Sequence, residues 1–481
     1  MKPIGPKSNT TKNPNPQRQS TGPTAVGNKA QQQTKESKEP FLKKVTFCAQ
    51  IFDFKDEDKC VNEKNERIKY LQELSELLTV QSNVINLVIP HLDLVMDMIQ
   101  KNICRPLPVV KKQGPSEDMG GLDEEPLSDP SWPHLQPVYE FFLQLIVNDA
   151  ADVRSLKAYI SHRFIQEFLE LFDSEEITER EYLKNILHRL YAKLVPRRKM
   201  IRKAVTDTFY TLIHENYKFN GAAELLDIFA SIISGFAVPL RDEHVYFFKT
   251  VIIPLHKVQT CPKFHNELLR CSMLFVSKDP LLAFALMDGL LKYWPFASFG
   301  KETLFLAELL EVLDVCDITK LEPHIDKLFK RLIKCIASPH LQVSDRAMCF
   351  FENDFFLSIL KHYKAKIFPI LVPVISQLAE THWHKLLQDS LGALRNILRD
   401  VDPQLYEKTS NSKDSRFMYL VMDPLQLKND RKKVDVKWDN LEKRARTNHK
   451  DKELELDIPY LETHIVGEHN GLDNGSVAII D

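Results

Sequence analysis

The 481-residue sequence is poor in glycine, and its 14 glycines form no phosphate-binding loop. Neither the GxGxxG pattern nor GxxxxGK followed by Ser or Thr occurs, and Gly120 and Gly121 fall in an acidic stretch. The chain also lacks the GxSxG turn of serine hydrolases and the HExxH helix of zinc proteases. We therefore predict that the chain is not an enzyme and that it holds no cofactor.

The sequence has little that would bind a structural metal or form disulfides. Its eight cysteines are scattered through apolar stretches and include no CxxC pair, which favours reduced thiols in the cytosol or nucleus. His382 and His384 flank Trp383, but side chains two positions apart on a helix point about 200° apart. Packing or helix capping is therefore preferred over a metal site for this pair.

There is no excess of one charge and no long apolar run. The 64 Lys and Arg residues nearly cancel the 66 Asp and Glu residues, so the global basicity of a nucleic-acid binder is missing. No apolar run reaches the roughly 20 residues that span a bilayer, and the N-terminus has no signal-peptide core. We predict no nucleic-acid partner, no membrane span and a cytoplasmic location.

Composition divides the chain into three parts. Residues 1–40 are polar and predict a disordered tail, residues 41–402 predict a helical repeat domain, and residues 403–481 predict a charged tail, partly helical or disordered. The acidic insertion Gly114–Glu125 predicts an exposed loop. In the charged tail, two basic clusters favour either nuclear import or a solvated helix face, and they comprise Lys432, Lys433, Lys443, Arg444 and Arg446.

Helical periodicity dominates the middle of the chain and predicts an all-α fold. A proline signature recurs at Pro90, Pro323 and Pro369, each followed by apolar residues at matching positions, and the last two prolines are 46 residues apart. That interval is typical of HEAT and armadillo repeats, so we predict an α-solenoid of helical-hairpin repeats. The predicted helices are 66–79, 84–103, 138–147, 164–172, 177–194, 201–215, 222–235, 245–258, 281–293, 303–315 and 324–336.

One basic segment covers the second half of the predicted helix 177–194 and the residues directly after it. Lys184, His188 and Tyr191 share a face of this helix at positions i, i+4 and i+7, and Arg189 lies beside them. Pro196 then leads into Arg197-Arg198-Lys199, whose cations oppose the dipole of the next helix without an evident gain for folding. The segment predicts an anion site for a peptide carboxylate or phosphate, with a solvated basic surface as the alternative.

Two further positions flank this segment. The helix 222–235 is apolar around most of its circumference, so Ile228 and Ile232 either floor an apolar groove beside the basic cluster or belong to the core. His244 begins another helix and is interpreted as a surface residue from its local sequence alone.

Motifs in order along the chain resemble the regulatory B-prime subunit family of protein phosphatase 2A. The similarity extends from about Phe41 to about Asp402. The motifs are Trp132-Pro-His-Leu-Gln, Val138-Tyr-Glu-Phe-Phe, Leu171-Phe-Asp-Ser, Leu187-His-Arg-Leu-Tyr191, Asn220-Gly, Ala223-Glu-Leu-Leu, Gly235-Phe-Ala-Val-Pro-Leu, Pro254-Leu-His-Lys-Val, Leu291-Lys-Tyr-Trp-Pro, Ser338-Pro-His-Leu-Gln-Val and Thr381-His-Trp.

The resemblance implies a non-catalytic subunit that binds the scaffold and catalytic subunits of a serine/threonine phosphatase and selects substrates carrying LxxIxE peptides. It implies that His188 and Arg198 receive the glutamate of the motif and that Ile228 and Ile232 line apolar pockets. The implied peptide-binding set is Lys184, His188, Arg189, Tyr191, Arg198, Ile228, Ile232 and His244.

The chain departs from the family pattern at a few positions. Pro196-Arg197 replaces a usual Gly-Leu step, while Phe351 and Asp435 replace tryptophans. Because the second half is the more divergent, an armadillo-like adaptor in transport or assembly, without phosphatase association, is the alternative function. An RNA-binding array would show steep salt dependence, and the balanced charge argues against it.

Overall fold

The computed structural model describes residues 27–53, 59–107, 129–215, 218–382 and 384–410, with side chains from residue 38 onward. In these ranges all regular secondary structure is helical, and the predicted all-α class is confirmed. The chain divides into two compact units, Met1–Asp414 and Ser415–Asp481. The second unit, the predicted basic clusters and the predicted loop Gly114–Glu125 lie outside the described residues.

The first half of the described chain contains ten α-helical segments. They are α1 Gly27–Cys48, α2 Val61–Leu78, α3 Gln81–Asn83, α4 Leu92–Ile103, α5 Trp132–Val147, α6 Val153–Lys157, α7 His162–Glu170, α8 Ile177–Lys193, α9 Arg198–His214 and α10 Ala222–Ser234. A π-helical turn, Val84–Val88, and a short 3-10 turn, Ile89–His91, join α3 to α4.

The second half continues in the same way, with a second π-helical turn at Phe248–Ile252. Its helices are α11 Asp242–Phe247, α12 Ile253–Leu255, α13 His265–Lys278, α14 Leu282–Lys292, α15 Phe299–Asp314, α16 Ile325–Ile336, α17 Leu341–Met348, α18 Asp354–His362, α19 Lys364–Thr381, α20 Lys385–Val401 and α21 Pro403–Ser410.

Local sequence explains where several helices begin. Ser161 precedes α7, and its hydroxyl accepts a hydrogen bond from the Phe164 backbone amide at 3.1 Å. Asn353 caps α18 in the same way through the Phe356 amide at 2.9 Å. Each cap satisfies an amide that lacks a partner within its own helix, which is why Ser and Asn are favoured there.

Contacts between successive units recur at a nearly constant interval along the chain. Arg180 pairs with Glu224, 44 residues later, at 2.8 Å. The Tyr363 hydroxyl donates to the Ile318 carbonyl oxygen, 45 residues earlier, at 2.6 Å. These intervals match the predicted repeat of 46 residues, and close packing joins neighbours such as α10 with α13 and α16 with α19. The predicted α-solenoid is confirmed.

Two lysines tie the ends of helices to the preceding unit. The Lys193 ammonium group donates to the Ile146 and Asn148 carbonyl oxygens at 2.7 and 2.6 Å. Lys278 donates to the Ser234 carbonyl oxygen at 3.0 Å, at the end of α10. In each case the ammonium group donates to carbonyl oxygens near the end of a helix, which receive no hydrogen bond from within that helix.

The structure differs from the sequence predictions at both ends of the domain. Helix α1 begins at Gly27, so residues 27–40 are helical where a disordered tail was predicted, because their Gln, Lys, Glu and Ala residues favour helix although few are apolar. His382 and His384 are not on one helix, since α19 ends at Thr381 and α20 begins at Lys385. His382 Nδ1 instead accepts from the His384 amide at 3.1 Å, and the burial of His382 agrees with the packing interpretation.

One described stretch, Gln81–Ile103, is long and apolar enough to cross a membrane by length and composition, with a mean hydropathy of 1.2. Its apolar side chains include Val88, Val95 and Ile99, which are buried in the array. A core helix passes the same test, so this stretch is weak evidence for a membrane span.

Candidate functional site

Helix α8 carries the predicted basic face, and a buried charge network holds its first turn. The Glu179 carboxylate is fully buried and accepts hydrogen bonds from Arg105 at 2.7 Å, from the Tyr139 hydroxyl at 2.6 Å and from the Ser174 hydroxyl at 2.6 Å. Arg105 also pairs with Asp129 at 3.0 Å. A buried carboxylate with three donors fixes the position of the helix.

The pKa values of this network agree with its geometry. Burial favours the neutral form of Arg105, but its hydrogen bond and charge pairing with Glu179 outweigh burial and raise its pKa. Burial raises the pKa of Tyr139 well above its ordinary value, and the negative charge of Glu179 adds to the shift. The network therefore keeps the Arg105 guanidinium charged beneath the start of α8.

The exposed face of α8 carries the predicted cations. Lys184 lies between two carboxylates, 2.9 Å from Glu181 on its own helix and 3.4 Å from Asp227 on α10. His188 and Arg189 are exposed one turn further along. Burial lowers the pKa of Lys184, but hydrogen bonding and charge pairing with Glu181 and Asp227 together outweigh burial, so the pKa is raised.

Arg198 folds back onto α8 instead of pointing along α9. Its guanidinium donates to the Tyr191 carbonyl oxygen at 2.9 Å and to the Ala192 carbonyl oxygen at 3.0 Å, and it lies 5.2 Å from the Tyr191 ring centre. These carbonyls end α8, where the helix dipole favours a cation. The expectation that this cation brings the fold no gain is therefore wrong, since Arg198 stabilises the end of the preceding helix.

Arg202 belongs to the same cluster, although the sequence analysis did not select it. Its guanidinium donates to the Tyr191 hydroxyl at 3.0 Å. It also affects the imidazole of His244. Burial is the main cause that lowers the pKa of His244, the charge of Arg202 lowers it further, and the charge of Glu243 opposes the shift. The i+4 spacing from Arg198 to Arg202 was the available signal, because residues so spaced share a helix face.

His244 lies at the start of α11 and packs on an aromatic side chain. Its ring stacks on Phe236 with centroids 3.7 Å apart and planes nearly parallel at 3°. Its Nδ1 is buried and has no hydrogen-bond partner among the described residues. His244 is thus a half-buried aromatic contact and not the plain surface residue expected from its local sequence.

Ile228 and Ile232 lie on α10 and are almost fully buried, at 3% and 7% exposed. Core packing therefore accounts for most of their surface, and only their edges can meet a ligand. Asp227, next to Ile228, forms ion pairs that join α10 to two neighbouring helices. Its carboxylate pairs with Lys184 on α8 and with Arg270 on α13, the latter at 2.8 Å.

The geometry can now be compared with known proteins. A family model described as the protein phosphatase 2A regulatory B subunit (B56 family) matches residues 28–445. The chain belongs to the B56 family. The predicted resemblance is confirmed, and B56 chains are regulatory subunits, which confirms the prediction that the chain is not itself the enzyme.

Individual B56 relatives cover most of the chain. A 57 kDa regulatory subunit, the B' beta isoform of Arabidopsis thaliana, is 37% identical over 369 residues, which is 76% of this chain and 74% of the relative. The 56 kDa regulatory subunit alpha isoform of Homo sapiens is 37% identical over 379 residues, 78% of this chain and 76% of its own. A solved engineered protein overlaps 81% of this chain and 94% of its own at a TM-score of 0.31 and 11% identity, which supports no argument.

In this B56 chain, the positions predicted for peptide binding fall on three consecutive helices and the start of a fourth. Lys184, His188, Arg189 and Tyr191 are on α8, Arg198 begins α9, Ile228 and Ile232 are on α10, and His244 is on α11. We call this set, with Arg202, the α8–α11 groove. Its assignment to peptide binding stays a prediction.

The residues of the α8–α11 groove in this B56 chain include a guanidinium, that of Arg198, held over an aromatic ring. Among the described residues, no group of three or more His, Cys, Asp and Glu side chains could hold a metal ion. A ligand carboxylate near Arg198 would meet a guanidinium whose orientation is already set by two carbonyls and a ring.

Proposed function

We propose that this regulatory subunit binds the scaffold and catalytic subunits of protein phosphatase 2A and recruits proteins bearing LxxIxE peptides through the α8–α11 groove. In this proposal the motif glutamate binds between His188 and Arg198. Its leucine and isoleucine contact the edges of Ile228 and Ile232. Acidic or phosphorylated intervening residues meet Arg189 and Tyr191.

The observation that carries the peptide proposal is the fixed geometry of Arg198. Its guanidinium is held by the Tyr191 and Ala192 carbonyls and lies over the Tyr191 ring, so little side-chain entropy remains to be lost on binding. Arg202 on the Tyr191 hydroxyl adds a second positive charge to the same edge. A peptide carboxylate therefore enters a site with a preset donor geometry.

The direct test is the affinity of a fluorescein-labelled LxxIxE peptide for the full chain, measured by fluorescence anisotropy. Arg198→Glu should weaken binding at least about 30-fold, because a carboxylate would face a carboxylate. The matched control Lys203→Glu reverses the charge of an exposed lysine on the same helix and should change affinity less than about threefold. Unchanged affinity of the Arg198 variant would remove the groove assignment.

The partner proposal is tested separately by purifying the tagged full chain from cells under gentle conditions. Scaffold and catalytic subunits should be recovered with it, both from the wild type and from the Arg198→Glu variant. Their absence from both would favour the adaptor without phosphatase association. Imaging of the same tagged chain would test the proposed cytoplasmic location and any nuclear fraction.

A further inference from the structure

A second basic surface with exposed aromatic side chains lies on the loops and helices from α14 to α17. Arg331 on α16 lies over the Phe296 ring at 4.3 Å and over the Trp294 ring at 5.2 Å from the ring centres. His340, before α17, stacks on Phe299 at 5.0 Å with planes 22° apart. We call Phe296, Phe299, Arg331 and His340 the aromatic platform.

The Arg331 guanidinium is positioned but lacks an acceptor among the described residues. It forms no ion pair or hydrogen bond, and its Nε is buried without a partner. Burial lowers the pKa of Arg331, and the neighbouring Cys335 and Glu302 oppose that shift. Arginine nevertheless stays charged at neutral pH, so a half-buried cation keeps unused donors at the surface.

The nearest candidate partner within the chain is already engaged elsewhere. Glu302 accepts a hydrogen bond from the Trp294 indole N–H at 2.9 Å, and burial raises the pKa of Glu302. Its carboxylate affects Arg331 only at a distance and does not pair with it. The donors of Arg331 are therefore left to a group from outside the described chain.

Both aromatic side chains of the platform are open to solvent. Phe296 is 70% exposed and Phe299 is 49% exposed, whereas Trp294 beneath them is buried. Leu341, next to His340, is also exposed. Large apolar side chains grouped at one place on a surface mark interaction sites more often than single exposed ones do.

A row of lysines extends from the platform along α16. Lys327 and Lys334 are exposed, on the polar side of a helix whose other side carries Leu328, Leu332 and Ile336 in the core. Lys327 to Lys334 spans about 10 Å. The one acidic residue of this helix, Asp326, lies in its first turn. We call Lys327 and Lys334 the lysine ridge.

We propose that the aromatic platform and the lysine ridge bind a short acidic segment of a partner protein. A carboxylate of the partner accepts two hydrogen bonds from Arg331, and a neighbouring apolar side chain packs on Phe296 and Phe299. Further acidic residues of the segment lie along the lysine ridge. This surface is separate from the α8–α11 groove, and the proposal does not depend on phosphatase binding.

Charge and size favour an acidic protein segment over a nucleic acid. The ridge and Arg331 offer three cations within about two turns of helix, whereas strong nucleic-acid binding uses many phosphate contacts. The chain as a whole has a net charge of −2, which provides no wider basic field. An arginine stacked on aromatic rings is instead typical of the central contacts of protein interfaces.

The probe is a labelled ten-residue peptide of alternating glutamate and leucine, which lacks LxxIxE spacing. Anisotropy with the full chain should show affinity at least about tenfold higher than for the same peptide with glutamine at every glutamate. Arg331→Gln should weaken binding about tenfold. Phe296→Ser, at a largely exposed position that cannot disturb the core, should weaken it about threefold. Lys361→Gln, an exposed lysine on α18, is the control and should stay within twofold.

Several outcomes would overturn the proposal. Equal binding of the glutamine peptide, or unchanged affinity of both the Arg331→Gln and Phe296→Ser variants, would exclude the platform. Loss of binding in Arg198→Glu alone would assign the acidic peptide to the α8–α11 groove. Tighter binding of a ten-nucleotide oligo-dT, falling steeply with salt, would identify the surface as a nucleic-acid site.

Discussion

The α8–α11 groove and the aromatic platform both combine arginine with aromatic rings, but they hold their cations differently. In the groove, Arg198 is bound to two carbonyl oxygens and Arg202 to the Tyr191 hydroxyl. On the platform, Arg331 rests on two rings and has no acceptor among the described residues. Arg198 is therefore oriented by the fold itself, whereas the hydrogen-bond donors of Arg331 have no acceptor among the described residues.

Each surface also has its own buried carboxylate beneath it. Glu179 holds the start of α8, which carries the groove. Glu308 lies on α15, the helix that begins at the platform, and accepts from His256 at 3.1 Å and His265 at 2.8 Å. Phe305 touches both His256 and Trp294 edge to face and so links this network to the platform. The two surfaces can therefore be disturbed one at a time.

The largest expected effect is on the groove. Glu179→Ala removes a fully buried carboxylate, one of the two that pair with the half-buried Arg105, and the acceptor of Tyr139, so we expect a loss of about 3–5 kcal/mol in the free energy of unfolding. Urea denaturation followed by circular dichroism measures this loss. Affinity for the LxxIxE peptide should fall as well, because α8 loses its anchor.

The control for that prediction is Glu181→Ala, which removes an exposed carboxylate from the same helix. Its free energy of unfolding should change by no more than about 0.5 kcal/mol. If Glu179→Ala weakened the acidic peptide at the platform as much as the LxxIxE peptide at the groove, the two surfaces would not be independent.

A smaller effect with a pH signature is expected beneath the platform. Glu308 is buried, but its bonding and charge pairing with His256 and His265 outweigh burial and lower its pKa to about 2. A lowered carboxyl pKa gives stability that is present above its ordinary value of 4.5 and is lost as the pH falls towards about 2. Glu308→Gln should therefore cost about 1.5–3 kcal/mol at pH 7, and the difference from wild type should shrink below pH 4.5.

Urea midpoints of both proteins between pH 7 and pH 3 test this expectation. Glu311→Gln, an exposed change on the same helix, should give a small difference from wild type across this range. A gap between Glu308→Gln and wild type that stays constant down to pH 3 would mean that Glu308 is not the group responsible.

The smallest expected effect is on peptide affinity, and it distinguishes the role of the Tyr191 hydroxyl group from that of the Tyr191 ring. Tyr191→Phe removes the acceptor of Arg202 but keeps the ring beneath Arg198. LxxIxE affinity should fall about two- to tenfold, since the hydroxyl group that orients the Arg202 guanidinium is lost. Tyr210→Phe loses a hydroxyl bonded to Thr250, outside the groove, and should leave affinity unchanged. A drop as large as that of Arg198→Glu would show that the hydroxyl, and not the ring, orders the groove.

The sequence predicted the helices and their repeat well, because burial of one face leaves a periodic apolar pattern. The predicted helix 177–194 is observed as Ile177–Lys193. The predicted helices do not include α1, the short α3 and α6, α13, or α17 to α21. In α17, for example, only Val343, Ser344 and Ala347 are buried, which leaves a weak pattern. The π-helical turn Phe248–Ile252 interrupts a segment predicted as one helix, since its apolar run does not reveal a shift in hydrogen bonding.

Within the candidate site, the sequence predicted which residues share α8 but not what holds them. The local sequence indicates that Glu179 is an ordinary polar residue in the first turn of a helix. It is nevertheless fully buried, because Arg105 and Tyr139, from distant parts of the chain, donate hydrogen bonds to its carboxylate. Arg198 was expected to oppose the dipole of its own helix, and instead it stabilises the end of the preceding one. Such long-range pairing leaves no mark in local periodicity.

The lysines that tie helix ends to the preceding unit also limit how this chain can be shortened. A fragment that stopped between Ser234 and Lys278 would keep the carbonyl group of Ser234 and lose the ammonium group that satisfies it. A cut ahead of Lys193 would do the same to Ile146 and Asn148. Useful boundaries for trimming the array therefore lie after such a lysine, about one unit later than the end of the helix whose carbonyl group it satisfies.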